Sequence, residues 1–205
     1  GETLIALTKT VKNKTRVGLP VDAAARELII NEILFNPKPA AYDFVEFYNN
    51  SNKIFDASKL FIANRNSSGV ISSIKALSST PFYIFPGDYI VQTEDADNLA
   101  LQFLVKEPGK VLTVSSPPSF SDDEGIVIAL NAQGNVIDEV MYKDDWHFKL
   151  IDNAEGVSLE RIDPAAPSQD PTNWHSAAST AGYGTPTYKN SQYKLLNSIN
   201  ATISI

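Results

Sequence analysis

LIINEILFNPKPAAYDFVEFYNN, residues 28–50, is the stretch from which the rest of the chain can be read. Two strand-like runs flank a loop broken by prolines. In the second run Val45 and Phe47 fall on one side while Phe44, Glu46 and Tyr48 fall on the other, the period-2 pattern of a strand with two unlike faces. In the first run Ile29 alternates with Ile30, and Glu32 with Ile33. Pro37 and Pro39 lack the N–H that a ladder needs, so the chain turns between the runs. A β-hairpin and a sheet-to-sheet crossover both satisfy this pattern.

Outward from that stretch, short β-rich runs recur between turn residues. TLIALTKTV near the start predicts an entering strand, followed by a polar linker through residue 26. Further strands are predicted over 59–64, 70–74, 82–85, 88–93, 111–114, 126–130, 136–142 and 157–162. Pro86-Gly87 and the NAQGN loop supply turn chemistry, since proline presets φ and glycine tolerates positive φ. Acidic residues Glu94, Asp95 and Asp97 gather where a helix N-terminus favours them, which predicts one short helix near 94–101. From 163 to 190 the chain reads as loop, with Trp174 and Tyr183 requiring something to pack on. The spacing predicts an all-β sandwich of about seven to ten strands, with a barrel as the structural alternative.

Composition narrows the function classes. The 205 residues are 43% hydrophobic and 20% charged, enough for one good core. A formal net charge of -7 argues against a nucleic-acid partner, because that affinity rests mainly on Lys and Arg displacing counterions. With no cysteine, disulfides, thiolate metal sites and cysteine nucleophiles are excluded together. No run approaches the ~18 apolar residues of a membrane span, so membrane insertion is not expected. The chain opens at Gly1 without Met or a signal-peptide pattern, and a segment cut from a longer protein is the expectation.

Four segments carry a resemblance. INEILFNP (30–37), DFVEFYNNS (43–51), SDDEGIVIALNAQGNVIDEVMY (121–142) and GVSLERIDP with NWHSA and YGTP (156–186) occur in the order found in lamin tail domains, and resemble the exported bacterial, Bacteroidetes-type members. The resemblance implies an immunoglobulin-like β-sandwich over 27–190, preceded by a strand-like arm and linker (1–26) and followed by an arm (191–205) leading toward a next module. It further implies a cell-surface or extracellular setting. Two departures stand out. The family's usual tryptophan before its third strand is replaced by Leu60, so Phe55 or Phe61 must fill that space, and Thr187 stands where a glycine usually follows Gly-Thr-Pro.

Candidate chemistry is sparse. Asp122, Asp123 and Glu124 form the best metal candidate, because a hard cation such as calcium takes several oxygen ligands gathered by a turn. A solvated turn leading into a strand is the other reading, and no cofactor is otherwise implied. Tyr142, Trp146, His147 and Phe148 could present an exposed aromatic platform for sugars or peptides; alternatively the tryptophan caps the core and the histidine bonds nearby backbone. With only His147 and His175 present, a multi-histidine zinc site is nearly excluded. Glu32 and Glu46 could pair as in a glycosidase or anchor a neighbouring loop, and Glu160-Arg161 reads as an ion pair or hydrogen-bond anchor. No G-x-S-x-G elbow or phosphate loop occurs. The expectation is a non-catalytic interaction or spacer module whose partners are other domains of its chain or cell-surface proteins and glycans. A carbohydrate- or peptide-binding module is the alternative, and a metal-dependent hydrolase a third.

Overall fold

The 28–50 stretch folds as an antiparallel pair, β1 (Leu28–Leu34) with β2 (Phe44–Asn49). A computed structural model describes residues 16–194, so the proposed entering strand and most of the C-terminal arm lie outside the described residues. Further strands follow in chain order: β3 (Phe55–Asp56), β4 (Phe61–Arg65), β5 (Ile71–Ala76), β6 (Tyr83–Ile84), β7 (Tyr89–Thr93), β8 (Val111–Thr113), β9 (Glu124–Leu130), β10 (Val136–Lys143), β11 (Leu159–Arg161) and β12 (Trp174–Ser176). They form a six-stranded sheet ordered β12-β11-β1-β2-β7-β8, a four-stranded sheet ordered β10-β9-β4-β5, and the small β3-β6 pair. The fold is an all-β sandwich.

The core lies between the two larger sheets. Ile30, Ile33, Val45, Phe47, Ile90, Leu159 and Trp174 from one meet Ile62, Val127, Ala129, Val140 and Tyr142 from the other. Alternation therefore places Val45 and Phe47 inward while Phe44 turns outward, into a second cluster with Leu34, Val91, Leu99 and Phe103. Leu60 and Phe55 are both buried in the main core, whereas Phe61 packs in a separate cluster with Ala63, Ile128 and Leu130. Phe55, not Phe61, shares the space near Leu60.

Among the described residues the single α-helix, α1 (Ala96–Gln102), begins at Asp95, whose carboxylate accepts from the Asn98 N–H at 2.9 Å. It buries Leu99 and leaves Leu101 exposed. The register of β1 against β2 shifts between Ile30 and Glu32, the mark of a β-bulge. A bulge leaves backbone groups outside the ladder, and here side chains satisfy them. The Ile30 N–H donates to Asp138 at 2.8 Å, and the Ile30 carbonyl accepts from Arg161 Nε at 2.7 Å. Arg161 Nη2 also reaches Asp138 at 3.0 Å, and so ties β11 in one sheet to β10 in the other.

Residues 163–190 are less loop-like than their prolines suggest. Trp174, 3% exposed, enters the core, and its Nε1 donates to the Ser168 carbonyl at 2.9 Å. The strand around it, β12, pairs with β11 in a register that sets His175 against Glu160. Residues 16–26 carry no strand or helix, yet they dock. Arg16 pairs with Asp88 at 2.8 Å, Ala23 is buried, and Arg26 donates to the carbonyls of Ala165 and Ala166.

Candidate functional site

Two places in the sandwich concentrate chemistry. The first is a row of carboxylates on the outer face of the six-stranded sheet. Glu32 is the register partner of both Glu46 and Glu160, so the three lie side by side across β2, β1 and β11, and each is fully buried. The bulge contributes by letting the neighbouring Asn31 reach the same face, where its Nδ2 donates to Glu46 at 2.8 Å.

Residues 183–192 lie over this row as a strap. The Thr185 N–H donates to Glu32 Oε1 at 2.8 Å, the Thr187 N–H to Glu46 Oε2 at 2.6 Å, and the Gln192 N–H to Glu160 Oε2 at 2.8 Å. Hydroxyls add to these: Ser158 donates to Glu32 at 2.5 Å and Ser191 to Glu160 at 2.7 Å. Asn190 pins the strap sideways by donating to the carbonyls of Asn31 and Arg161. Burial, and next the neighbouring Glu160, raises Glu32 from 4.5 to about 8; burial, and next Glu32, pushes Glu46 well above its ordinary range. These groups keep protons at neutral pH and have no open path to a substrate. As a pair for sugar hydrolysis they are misplaced, because the strap fills the side on which a cleft would lie.

The sequence points to this arrangement only in part. Glu32, Glu46 and Glu160 each sit in a strand-like run, and their role as loop anchors is legible there. That the three share one row depends on the pairing of β11 with β1, which nothing local specifies. Glu160 and Arg161 do not pair with each other. As successive strand residues they face opposite ways, Glu160 to the strap and Arg161 to Asp138.

The second place is the aromatic surface beside β12. Tyr142 is no part of it: its side chain is fully buried, stacks on Phe35 at 4.3 Å and donates to the Ser121 carbonyl at 2.7 Å. The expectation of an exposed Tyr142 is therefore corrected, because strand alternation from Val140 carries it into the core. Trp146 packs partly buried against that core, its ring 6.3 Å from Trp174. His147 is buried, with Nδ1 2.8 Å from Ser176 Oγ. Ser176 Oγ also accepts from the Phe148 N–H at 2.9 Å, so one hydroxyl ties the histidine ring and the backbone that follows it to β12. Burial holds this histidine down at about 4.

Phe148 is 45% exposed and tilts against His175, with ring centroids 5.3 Å apart. This ridge separates two shallow depressions. One, of about 480 Å3, is lined by Trp146, Phe148, Lys149 and Thr172. The other, of about 440 Å3, is lined by Leu150, Ile151, Ala178 and Tyr183. Leu150 is 80% exposed and Tyr183 41%. The structure thus brings Trp146, His147 and Phe148 together with His175, Leu150 and Tyr183; Leu150 is unmarked in sequence, and Tyr183, expected to pack under cover, stays 41% exposed.

The acidic turn does not close into a ligand set. Glu124 opens β9 and pairs with Lys143 at 3.1 Å, while Asp122 acts on Asp43, whose carboxyl is raised to about 7 by burial and then by Asp122. Among the described residues no group of three or more His, Asp or Glu side chains is arranged to hold a metal ion, so Asp122, Asp123 and Glu124 are not assembled as a calcium site. No described helix is long and apolar enough to cross a membrane. No protein-family model and no curated protein matches the chain.

Proposed function

We propose that the chain is a non-catalytic interaction module of lamin-tail type, one part of a larger exported or cell-surface bacterial protein. It engages partners through the aromatic surface beside β12. The observation that carries this reading is the Phe148–His175 ridge with an apolar depression on each side, where Phe148, Leu150 and Tyr183 stay exposed together. Clustered apolar exposure of this kind marks binding surfaces more often than chance exposure does. The buried glutamates favour a module without catalysis, since every one of them is engaged by protein donors beneath the strap. The partners this surface fits are other domains of the same chain, or proteins and glycans at the cell surface; the net charge of -7 disfavours nucleic acid.

Screening the chain against glycan and peptide arrays tests the reading. The expected result is a bound class that is lost in Phe148→Ala and Leu150→Ser, with thermal unfolding unchanged in both because the two side chains are exposed. A bound class indifferent to both substitutions would move the binding surface elsewhere. No bound class at all would leave the spacer role.

A further inference from the structure

The carboxylate row holds three acids, and among the described residues no lysine or arginine hydrogen-bonds to any of them. Proton counting shows how the row is held together. Thr185 Oγ1 lies 2.7 Å from Glu160 Oε1 and 3.2 Å from Glu32 Oε2. A hydroxyl carries one proton, so it donates to one carboxylate and can only accept from the other. One of the two acids must therefore be protonated for both contacts to exist.

The strap itself is seated under strain. Tyr183 and Thr187 have φ of 67° and 72°, in the left-handed region that non-glycine residues seldom occupy, and a β-branched residue there is a genuine outlier. Thr187 is kept in place by its N–H to Glu46 and by the Glu107 N–H that its Oγ1 accepts at 3.0 Å. At Gly184 the fit is so close that a Cβ would come within 2.6 Å of the Phe103 ring. The N–H donors of the strap hold an ionised carboxylate as readily as a neutral one, and what opposes ionisation beneath the strap is burial and the crowding of three acids. A segment strained at two positions that keeps this row out of water has a built-in reason to leave when its protons go.

We propose that residues 183–192 form a proton-operated latch, seated while the buried row holds the proton that the Thr185 bridge requires and lifting from the sheet as the row ionises. The groups around the row do not offset its charge. On the same face stand Tyr48 of β2 and Tyr89 of β7, both raised first by burial, and His175 of β12 is the register partner of Glu160. The strap adds Tyr188 and Lys189, and Tyr193 follows directly after it. Lys189 lies over the Tyr193 ring and Lys106 over the Tyr188 ring, each at 3.7 Å, so both cations are spent on aromatic faces rather than on the carboxylates.

The sign follows from Glu32, raised from 4.5 to about 8 when the strap is closed. The closed state is fully favoured below the ordinary value, and that advantage is lost as pH rises through the raised one. Opening releases a proton throughout this window, so the opening constant climbs about tenfold per pH unit for each proton released.

Hydrogen exchange on the full chain between pH 5 and 8, corrected for the intrinsic pH dependence of exchange, reads this directly. The amides of Thr185, Thr187 and Gln192 should be less protected than those of β9, and their opening constant should rise about tenfold per pH unit. Glu32→Gln should flatten that rise, because an amide can donate to Thr185 Oγ1 at every pH. Strap and β9 amides sharing one opening constant at every pH would overturn the latch, since the strap would then leave only on global unfolding. A strap opening constant flat with pH would overturn the proton coupling. Both outcomes are read on the unsubstituted chain, so they hold even if Glu32→Gln fails to fold, and Glu160→Gln then serves for the assignment.

Discussion

Arg161 is fully buried, and its guanidinium serves a backbone carbonyl, a carboxylate and a hydroxyl at once. Burial lowers it to about 10, with Asp138 opposing, so it remains charged at neutral pH. Removing one partner of a buried pair leaves the other charge uncompensated, and Arg161→Met should cost about 3–5 kcal/mol in denaturant unfolding. An unchanged midpoint would show that the link between the sheets is dispensable. Trp174→Ala should cost a similar amount, about 3–5 kcal/mol, by opening a cavity under β12 and orphaning the Ser168 carbonyl. The two residues were not equally legible in the sequence. Trp174 is a large apolar side chain that must find cover, and a lid on the core follows from that alone. Arg161 needs Asp138 and the Ile30 bulge to make sense, and no local pattern announces backbone groups that are satisfied by a carboxylate of the opposite sheet and a guanidinium of the same one. Tyr142 was misread for a different reason. Its neighbours Trp146 and Phe148 lie beyond the end of β10, where alternation no longer governs which side a residue takes.

Among the elements, most strands fall within or beside their predicted spans, the short β6, β8 and β11 included, whereas β3 and β12 carry no signal of their own. β7, β9 and β10 fall close to their predicted spans, because five to eight residues of period-2 pattern outweigh local noise. β3 and β12, of two and three residues, owe their extended form to partners rather than to propensity. The strap has no regular structure at all, and its sequence signal, Gly-Thr-Pro, marks a turn without revealing what lies beneath it. Thr187 holds a left-handed φ of 72°, a conformation that glycine would adopt without strain. Gly184→Ala should destabilise by about 1–3 kcal/mol, because the added methyl overpacks Phe103. A neutral result in thermal melts would mean that the strap can shift away without loss.

At the scale of the whole molecule, buried acids and a buried base pull stability in opposite directions with pH. Glu32 at about 8 and Asp43 at about 7 are raised, so their contribution is greatest in acid and lost as pH rises through those values. His147 at about 4 is lowered, so its contribution is present above 6.5 and lost as pH falls toward the depressed value. The melting temperature should therefore decline between pH 6.5 and 8, where only the carboxylates titrate, and Glu32→Gln should shallow that decline. A melting temperature that rose across this range would contradict the assignment. Boundaries also follow from the docking of the flanks. Compared with the chain trimmed to 16–194, trimming to 26–182 removes the Arg16–Asp88 pair and the whole strap and should lower the melting temperature sharply. The strap has one more consequence, for mechanics. Its donors at Thr185, Thr187 and Gln192 end on three neighbouring strands, so a pull applied at the C-terminal side meets the Gln192–Glu160 bond before those to Glu32 and Glu46. Tension applied there would peel the strap one anchor at a time, yielding slack in small steps before the sandwich itself bears the force.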